Sequence, residues 1–325
     1  MKIEQRIFNE SVGSKQNIIH FVSKNLRGLS ESKKNIIDSI NSNLDLCENT
    51  FLFNQIAKSY EFKSDEIFPL SIASELLMQA AFISDDVFDN NFARNNKKNL
   101  FCIFGQNKAI IISTILYGIY FKISSSTTNK KIHELLVDAY LKLNYGQFLT
   151  EHFKDYSKLN LRILNNIAFL KCGKLMSNSA SIPAIIADDK KSIINKLSEY
   201  GRLIGIALQH RDDIVEFMPY EYSLGKPSFQ DLENQQPNLV LYYLYQELSS
   251  IKKTNMTDQL FINTIRENIT NQKKLNNFIP YINAIKHSIK LLDKICLKAI
   301  GIINSLPSNF QHSPLIQLTR LISNV

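Results

Sequence analysis

The sequence predicts an all-α protein, and three observations carry that reading. Glycine and proline are scarce, 10 and 8 in 325 residues, so long uninterrupted elements are expected. Apolar residues recur at helical spacing along almost the whole chain. No stretch rich in Pro, Gly and Ser divides it, so residues 1–325 read as one domain, large enough to bury a substantial core, with residues 1–30 as an amino-terminal arm.

The elements follow in order. Helical periodicity starts near Ile18 and breaks at the polar stretches 28–32 and 42–49, which gives two short helices; a third runs from 51 to 60. Pro69 suits a first helical turn and opens a longer helix that runs into an acidic cluster. The polar segment 90–99 reads as a loop. Helices are expected over 107–123, 130–152, 160–178, 182–187 and 190–217, then a loop over 218–237, and four closing helices over 238–253, 257–271, 275–304 and 314–323.

Composition narrows the function. The net charge is +8, yet Lys and Arg are spread along the chain without interleaved aromatics, which argues against nucleic acid and suits the drawing in of an anionic small molecule. Cys47, Cys102, Cys172 and Cys296 have no metal-ligand spacing and read as reduced thiols of a cytoplasmic protein. The start, MKIEQRIFNESV, lacks an apolar signal core. The longest uncharged apolar stretch, Ala109 to Phe121, falls short of the roughly 20 residues of a spanning helix, so no transmembrane segment is expected. The six histidines show no ligand spacing, and His210 is expected to pack.

Two acidic clusters carry the chemistry: Asp85-Asp86-Val87-Phe88-Asp89 and Asp212-Asp213-Ile214-Val215-Glu216. Residues three and four apart on a helix are neighbours, about 5–6 Å between Cβ atoms, so Asp85 stands beside Asp89 and Asp212 beside Glu216. Acidic residues at this spacing are mostly solvated surface, but here apolar runs border both clusters, Leu76 to Ile83 and Leu203 to Leu208. Carboxylates held together beside a core call for a cation. Hard oxygen donors without nearby Cys or His favour Mg2+, which commonly bridges to substrate phosphate. Both clusters end long helices, so a bundle can hold them at one mouth of a central apolar cavity. That cavity suits a diphosphate head with a hydrocarbon tail.

These residues resemble the trans-type isoprenyl diphosphate synthases, also called polyprenyl synthetases, over about residues 51–244. ELLMQAAFISDDVFDNNFARN is similar to the family's first aspartate-rich motif, with Asp85, Asp86 and Asp89 at the Mg2+ positions and Arg94 at the first of two arginines. LQHRDDIVEFMPYEYSLGKPSFQDLENQQPNL resembles the second, with Gln209, Asp212, Asp213, Glu216 and Lys226. Gly146-Gln147 and Lys171-Cys172-Gly173 stand where the family has Gly-Gln and Lys-Thr. The resemblance implies an isoprenoid-synthase-type bundle, a homodimer and three Mg2+ ions. It implies Lys171, Lys226 and Arg94 on the diphosphate of an allylic substrate such as farnesyl or geranylgeranyl diphosphate, with Lys171, Lys226 and Gln209 catalytic. The metal would stabilise the diphosphate as a leaving group, and the apolar walls would shield the allylic cation. Small Ala80 and Ala81 before the first cluster leave room for a chain of at least farnesyl size.

Departures fall on the acceptor side. The family's Gly-Gly-Lys-Arg element, which holds isopentenyl diphosphate, is replaced by the stretch 45–50, DLCENT, with Glu48 where an anion should bind. Asn95 stands at the second arginine, Gln235-Gln236 replace Gly-Lys before Pro237, and Ser113-Thr114 replace Gly-Asp. The expectation is a Mg-dependent prenyltransferase whose ionising half is kept and whose acceptor is a peptide, a small molecule or an unusually bound isopentenyl diphosphate. The ComQ-type isoprenyltransferases are similar in KCG, CENTFLF and EQRIFNE. Alternatives are a terpene synthase on the same fold and a non-catalytic partner subunit; the survival of both clusters argues against the latter.

Overall fold

The structure is a computed structural model that describes residues 2–29, 31–44, 47–62, 64–94, 97–218, 229–252, 256–269, 274–275, 277–311 and 314–325. It is helical throughout apart from one two-stranded hairpin among the described residues. Helices α1 (Lys2–Asn25), α2 (Lys33–Asn43) and α3 (Glu48–Lys58) form the amino-terminal part. Helix α1 starts well before Ile18, because nothing in the polar segment ahead of it breaks a helix: there is no proline and only Gly13. Its carboxy-terminal half buries Ile18 and Val22.

Helix α4 spans Ser64–Phe88, with Pro69 in its second turn instead of its first. So near the start, proline removes one bond from a ladder that has hardly begun. The segment expected as a loop instead forms the hairpin β1 (Ala93–Arg94) with β2 (Lys97–Lys98), in which Arg94 pairs with Lys97. Helices α5 (Leu100–Phe104), α6 (Gln106–Ser126) and α7 (Lys130–His152) follow. Where two separate helices were expected, α8 (Leu161–Ala168) continues through a π turn (Phe169–Gly173) into α9 (Lys174–Ile186). Every α9 residue from Leu175 to Ile185 is buried, so packing keeps it helical across Pro183. Helix α10 spans Lys191–Glu216, and a short α11 (Gln230–Glu233) sits in the second expected loop. Helices α12 (Leu239–Lys252), α13 (Asp258–Ile269), α14 (Ile279–Asn304), α15 (Ser308–Gln311) and α16 (Leu315–Ser323) complete the chain.

The core comprises two packed clusters. One joins α9, α10, α12, α14 and α16 around Tyr200, Ile204 and Leu241; the other joins α1, α2, α4, α6 and α7 around Leu76, Leu77 and Tyr120. Helices α4 and α6 pack closely, and Ser113 is fully enclosed there, its hydroxyl donating to the Ala80 carbonyl at 2.7 Å. Helices α9 and α10 approach more closely still. A Cβ on Gly201 would lie 2.2 Å from the Met176 carbonyl oxygen, and one on Gly205 would lie 2.5 Å from Gly173 Cα. Both contacts exclude any side chain. The segments Ile67–Phe88 and Gln106–Ser126 are long and apolar enough to cross a bilayer, so α6 exceeds the stretch read from sequence. Their apolar character serves the α4–α6 contact, with 67% of the first window buried and 44% of the second.

Candidate active site

The two acidic clusters meet across one cavity. Helix α4 delivers Asp85 from its last turn and Asp89 just beyond it, and α10 delivers Asp212, Asp213 and Glu216 from its last two turns. The cavity, about 400 Å³, takes apolar walls from both cores: Ala81 and Phe82 of α4, Leu143 of α7, Leu164, Ile167 and Met176 of the α8–α9 segment, and Leu208 of α10. That volume lies in the range of small-molecule sites. Ala80, by contrast, does not line the cavity; it is fully enclosed in the α4–α6 contact.

Within each cluster the carboxylates divide. Asp86, 2% exposed, is absent from the cavity wall and is held by Arg94, whose Nη2 donates at 2.8 Å and Nε at 3.2 Å, and by Asn91 Nδ2 at 3.2 Å. The Arg94 guanidinium lies 4.5 Å from the centroid of the Phe82 ring, a cation–π contact at the cavity edge. Asp213 is similarly engaged: it accepts the backbone N–H of Leu239 at 3.0 Å and Gln209 Nε2 at 3.1 Å, which ties α10 to the start of α12. His210 packs beneath, its Nε2 2.8 Å from Asn165 Oδ1. Asp85, Asp89, Asp212 and Glu216 line the cavity, and so does Asp213 while held by Leu239 and Gln209; Asp86 alone of the six is withdrawn from it.

The return segment before α12 bridges the clusters. Gln236 Nε2 donates to Asp89 Oδ1, and the Asp231 backbone N–H donates to Glu216 Oε1 at 2.7 Å. Asp231, whose own carboxylate accepts Asn238 Nδ2 at 2.8 Å, also lines the cavity and was missed from sequence. Its signal was weak: a lone acid in a polar stretch. Gln235, where the resemblance places glycine, holds the left-handed conformation with φ 55°, and Cys47, in the stretch that replaces Gly-Gly-Lys-Arg, does so with φ 48°. An L-residue there carries about 1–2 kcal/mol of strain.

Lys171 is presented by the π turn, with its Nζ 3.8 Å from Asp85 Oδ2. A π turn re-aims one side chain out of the α-helical register and is frequent at functional sites. Burial works to lower the Lys171 pKa, and Asp85, Asp89 and Asp231 outweigh it, so it stands raised and the ammonium persists. Gly146 makes room for the turn: a Cβ there would lie 2.8 Å from Lys171 Cγ. Next in the turn, Cys172 donates its thiol to Gln209 Oε1 at 3.5 Å, and burial, then Asp212, pushes its pKa up to about 12. It is therefore no nucleophile at neutral pH. Arg211 also lines the cavity, and its Nε has no hydrogen-bond partner. Lys226 and Asn95 lie outside the described residues.

Eight carboxyl groups and three basic side chains line the cavity among the described residues. The charge excess shows in Asp89, whose pKa is raised to about 6 by burial and by Asp85. Among the described residues no three His, Cys, Asp or Glu side chains converge on a ready metal site. The donor set that the clusters present, carboxylate oxygens alone, is of the chemistry that suits Mg2+.

Glu75, three turns before Asp85 on α4, also lines the cavity and is 4% exposed. Burial, then the Glu48 carboxylate, raises its pKa to about 8 from 4.5. Between those values the folded protein keeps a proton that the unfolded chain has released. This contribution to stability is complete below pH 4.5 and is lost as the pH rises through about 8. Glu75→Gln should therefore flatten the fall of Tm between about pH 5 and 8, read by calorimetry against the parent; parallel curves would refute it.

Comparisons with known proteins bear on this geometry. The model of the family described as Polyprenyl synthetase matches residues 49–281. A short chain isoprenyl diphosphate synthase of Methanocaldococcus jannaschii is 29% identical over 62% of this chain and 64% of its own length, and a geranylgeranyl diphosphate synthase of Methanosarcina mazei 26% identical over 56% and 57%. The chain thus spans less than two thirds of the length of these relatives. Among solved structures, a geranylgeranyl pyrophosphate synthetase from Pyrococcus horikoshii superposes with a TM-score of 0.79 at 19% identity, covering 100% of this chain and 98% of that one. A polyprenyl synthase from Caulobacter crescentus, complexed with calcium and isoprenyl diphosphate, does so with 0.78 at 18% identity, over 99% and 97%. At these identities the superpositions establish a shared helical fold. With a family match spanning both acidic clusters, the π turn and the return segment, the chain belongs to the polyprenyl synthetase family.

Proposed function

We propose that this chain is a Mg2+-dependent prenyltransferase that ionises an allylic isoprenyl diphosphate and transfers the prenyl group to an acceptor other than ordinary isopentenyl diphosphate. The observation that carries this is the convergence of Asp85, Asp89, Asp212 and Glu216 with Lys171 on one apolar-walled cavity. Those four carboxylates would hold the metal, three ions by the family resemblance, and bound Mg2+ would supply charge to stabilise the leaving diphosphate. Asp86 and Asp213 position their helix ends, through Arg94 and through the start of α12. Lys171 contributes a fixed positive charge, Gln209 holds Asp213 and Cys172, and Phe82 with the aliphatic wall excludes water from the cation. Lys226 completes the diphosphate contacts in this reading. Support for the changed acceptor comes from Glu48, which lines the same cavity.

A homodimer is part of the proposal, supported by the exposed apolar residues Ile111 of α6 and Leu141, Tyr145 and Phe148 of α7. So is a cytoplasmic location, on the free cysteines.

The test is incubation of the protein and Mg2+ with geranyl, farnesyl and geranylgeranyl diphosphates, with and without isopentenyl diphosphate, followed by mass spectrometry. Slow release of the simple alcohol, unaffected by isopentenyl diphosphate, is the expected result. Longer diphosphates would overturn the acceptor reading, cyclic hydrocarbons would replace transfer by cyclisation, and no turnover would favour a partner subunit. Chain length has its own probe. Because Ala81 lines the cavity and Ala80 does not, Ala81→Phe should restrict turnover to a shorter isoprenoid, and an unchanged substrate range would dismiss that role.

A further inference from the structure

The rim of the cavity beside the first acidic cluster carries aromatic rings at the surface. Phe88, directly before the cavity-lining Asp89, is 56% exposed, and so is Phe92, which lies two residues before the cavity-lining Arg94. Ile103 of α5 is exposed as well. Single exposed apolar residues are ordinary, but these are held together on a fixed frame. Phe92 stacks on Phe101 with ring centroids 4.7 Å apart, and its carbonyl accepts the Asn99 backbone N–H at 3.3 Å. Asn99 Nδ2 donates to the Asn91 carbonyl at 2.6 Å, and the Arg94–Asp86 ion pair anchors the β1–β2 hairpin from within at 2.8 Å. The rings are thus kept at the surface instead of folding back onto the core.

The charge around them is mostly positive. Lys97 and Lys98 of β2 and Lys108 in the first turn of α6 are exposed. Helix α2, which packs against β2 and α5, adds Lys33 and Lys34 against Asp38, with Glu31 just ahead of it. Asp85 and Asp89 line the cavity. Aromatic rings bordered by lysines are the composition that settles at a lipid–water interface: the rings enter the head-group layer, and the ammonium groups meet anionic lipid. A second copy of this chain docking through the same face would instead set these lysines against their own kind.

We infer that the surface formed by Phe88, Phe92, Lys97 and Lys98 docks on an anionic lipid bilayer and sets the mouth of the cavity against it. The surface is read from these residues alone. Its use rests on the transferase reading above: a ligand with a long hydrocarbon tail would pass between bilayer and cavity without exposing that tail to water.

The test is sedimentation of the full chain with vesicles and no diphosphate, so that its failure is separate from failure of the transferase reading. Vesicles of equal parts phosphatidylcholine and phosphatidylglycerol should carry the protein down, vesicles of phosphatidylcholine alone about tenfold less of it, and high salt should release it. Phe88→Ser with Phe92→Ser, and separately Lys97→Glu with Lys98→Glu, should each weaken partitioning by about tenfold or more, whereas Phe88→Trp should keep it. Melting curves report folding, and two variants of opposite chemistry guard against the failure of one. Absence of the parent from the vesicle pellet, equal binding to both vesicle types, or parent-like binding of both folded variants would overturn the inference. So would a parent that ignores vesicles but changes oligomeric state in size-exclusion chromatography when the phenylalanines are replaced, which would make the surface a contact between copies.

Discussion

Asp85→Ala and Asp212→Ala are each expected to lower turnover of an allylic diphosphate by about 10²–10³-fold while leaving the metal-free protein as stable as the parent or more so. The rate effect follows from removing a preorganised group that positions charge on the leaving diphosphate. The stability effect follows from repulsion. Burial and then the Asp85 carboxylate raise Asp89, and eight carboxyl groups share a wall with three basic side chains, so deleting one relieves repulsion. The measurement pairs product formation with melting curves, with and without Mg2+. The parent should gain Tm on adding Mg2+ and diphosphate, and the variants should gain less. A collapsed Tm in the metal-free variants would show instead that these acids hold the fold together.

The second large effect is expected from a residue that touches no substrate. In Gly205→Ala the new methyl would sit 2.5 Å from Gly173 Cα and 2.6 Å from the Cys172 carbonyl oxygen, both backbone, so the helix must move. Helix α10 carries Asp212 and Glu216 seven and eleven residues further on, and the π turn carries Lys171, so the shift opens the site between them. Overpacking of this kind costs about 1–3 kcal/mol. Misplacement of catalytic groups by about 1 Å costs on the order of 10²-fold in rate. Gly205→Ala should thus lose both Tm and activity, whereas Gly118→Ala, with nothing within 4 Å of its Cβ, should lose neither. Parent-like activity in Gly205→Ala would show that the π turn and the second acidic cluster are not rigidly coupled.

The sequence by itself determined the helical class, the two acidic clusters at helix ends, and the lysine, glycine and glutamine positions around them. Each of these rests on local information: periodicity of 3.6, spacing of three and four, and short ordered motifs. Tertiary structure decided how those residues share the work. Asp86 and Asp213 look the same in sequence as Asp85 and Asp212, yet Arg94, eight residues on, claims one and the Leu239 backbone N–H, 26 residues on, claims the other. Ala80 and Ala81 are adjacent in sequence, but a step of 100° about the helix axis sends only Ala81 to the cavity. The π turn at Lys171, the run of α9 through Pro183 and the arrival of Asp231 beside Glu216 all depend on close contacts between elements, which local propensity does not encode. Glu75 reads in sequence as one polar residue in an apolar run, and only the packing of α3 against α4 makes it a buried acid on the cavity wall.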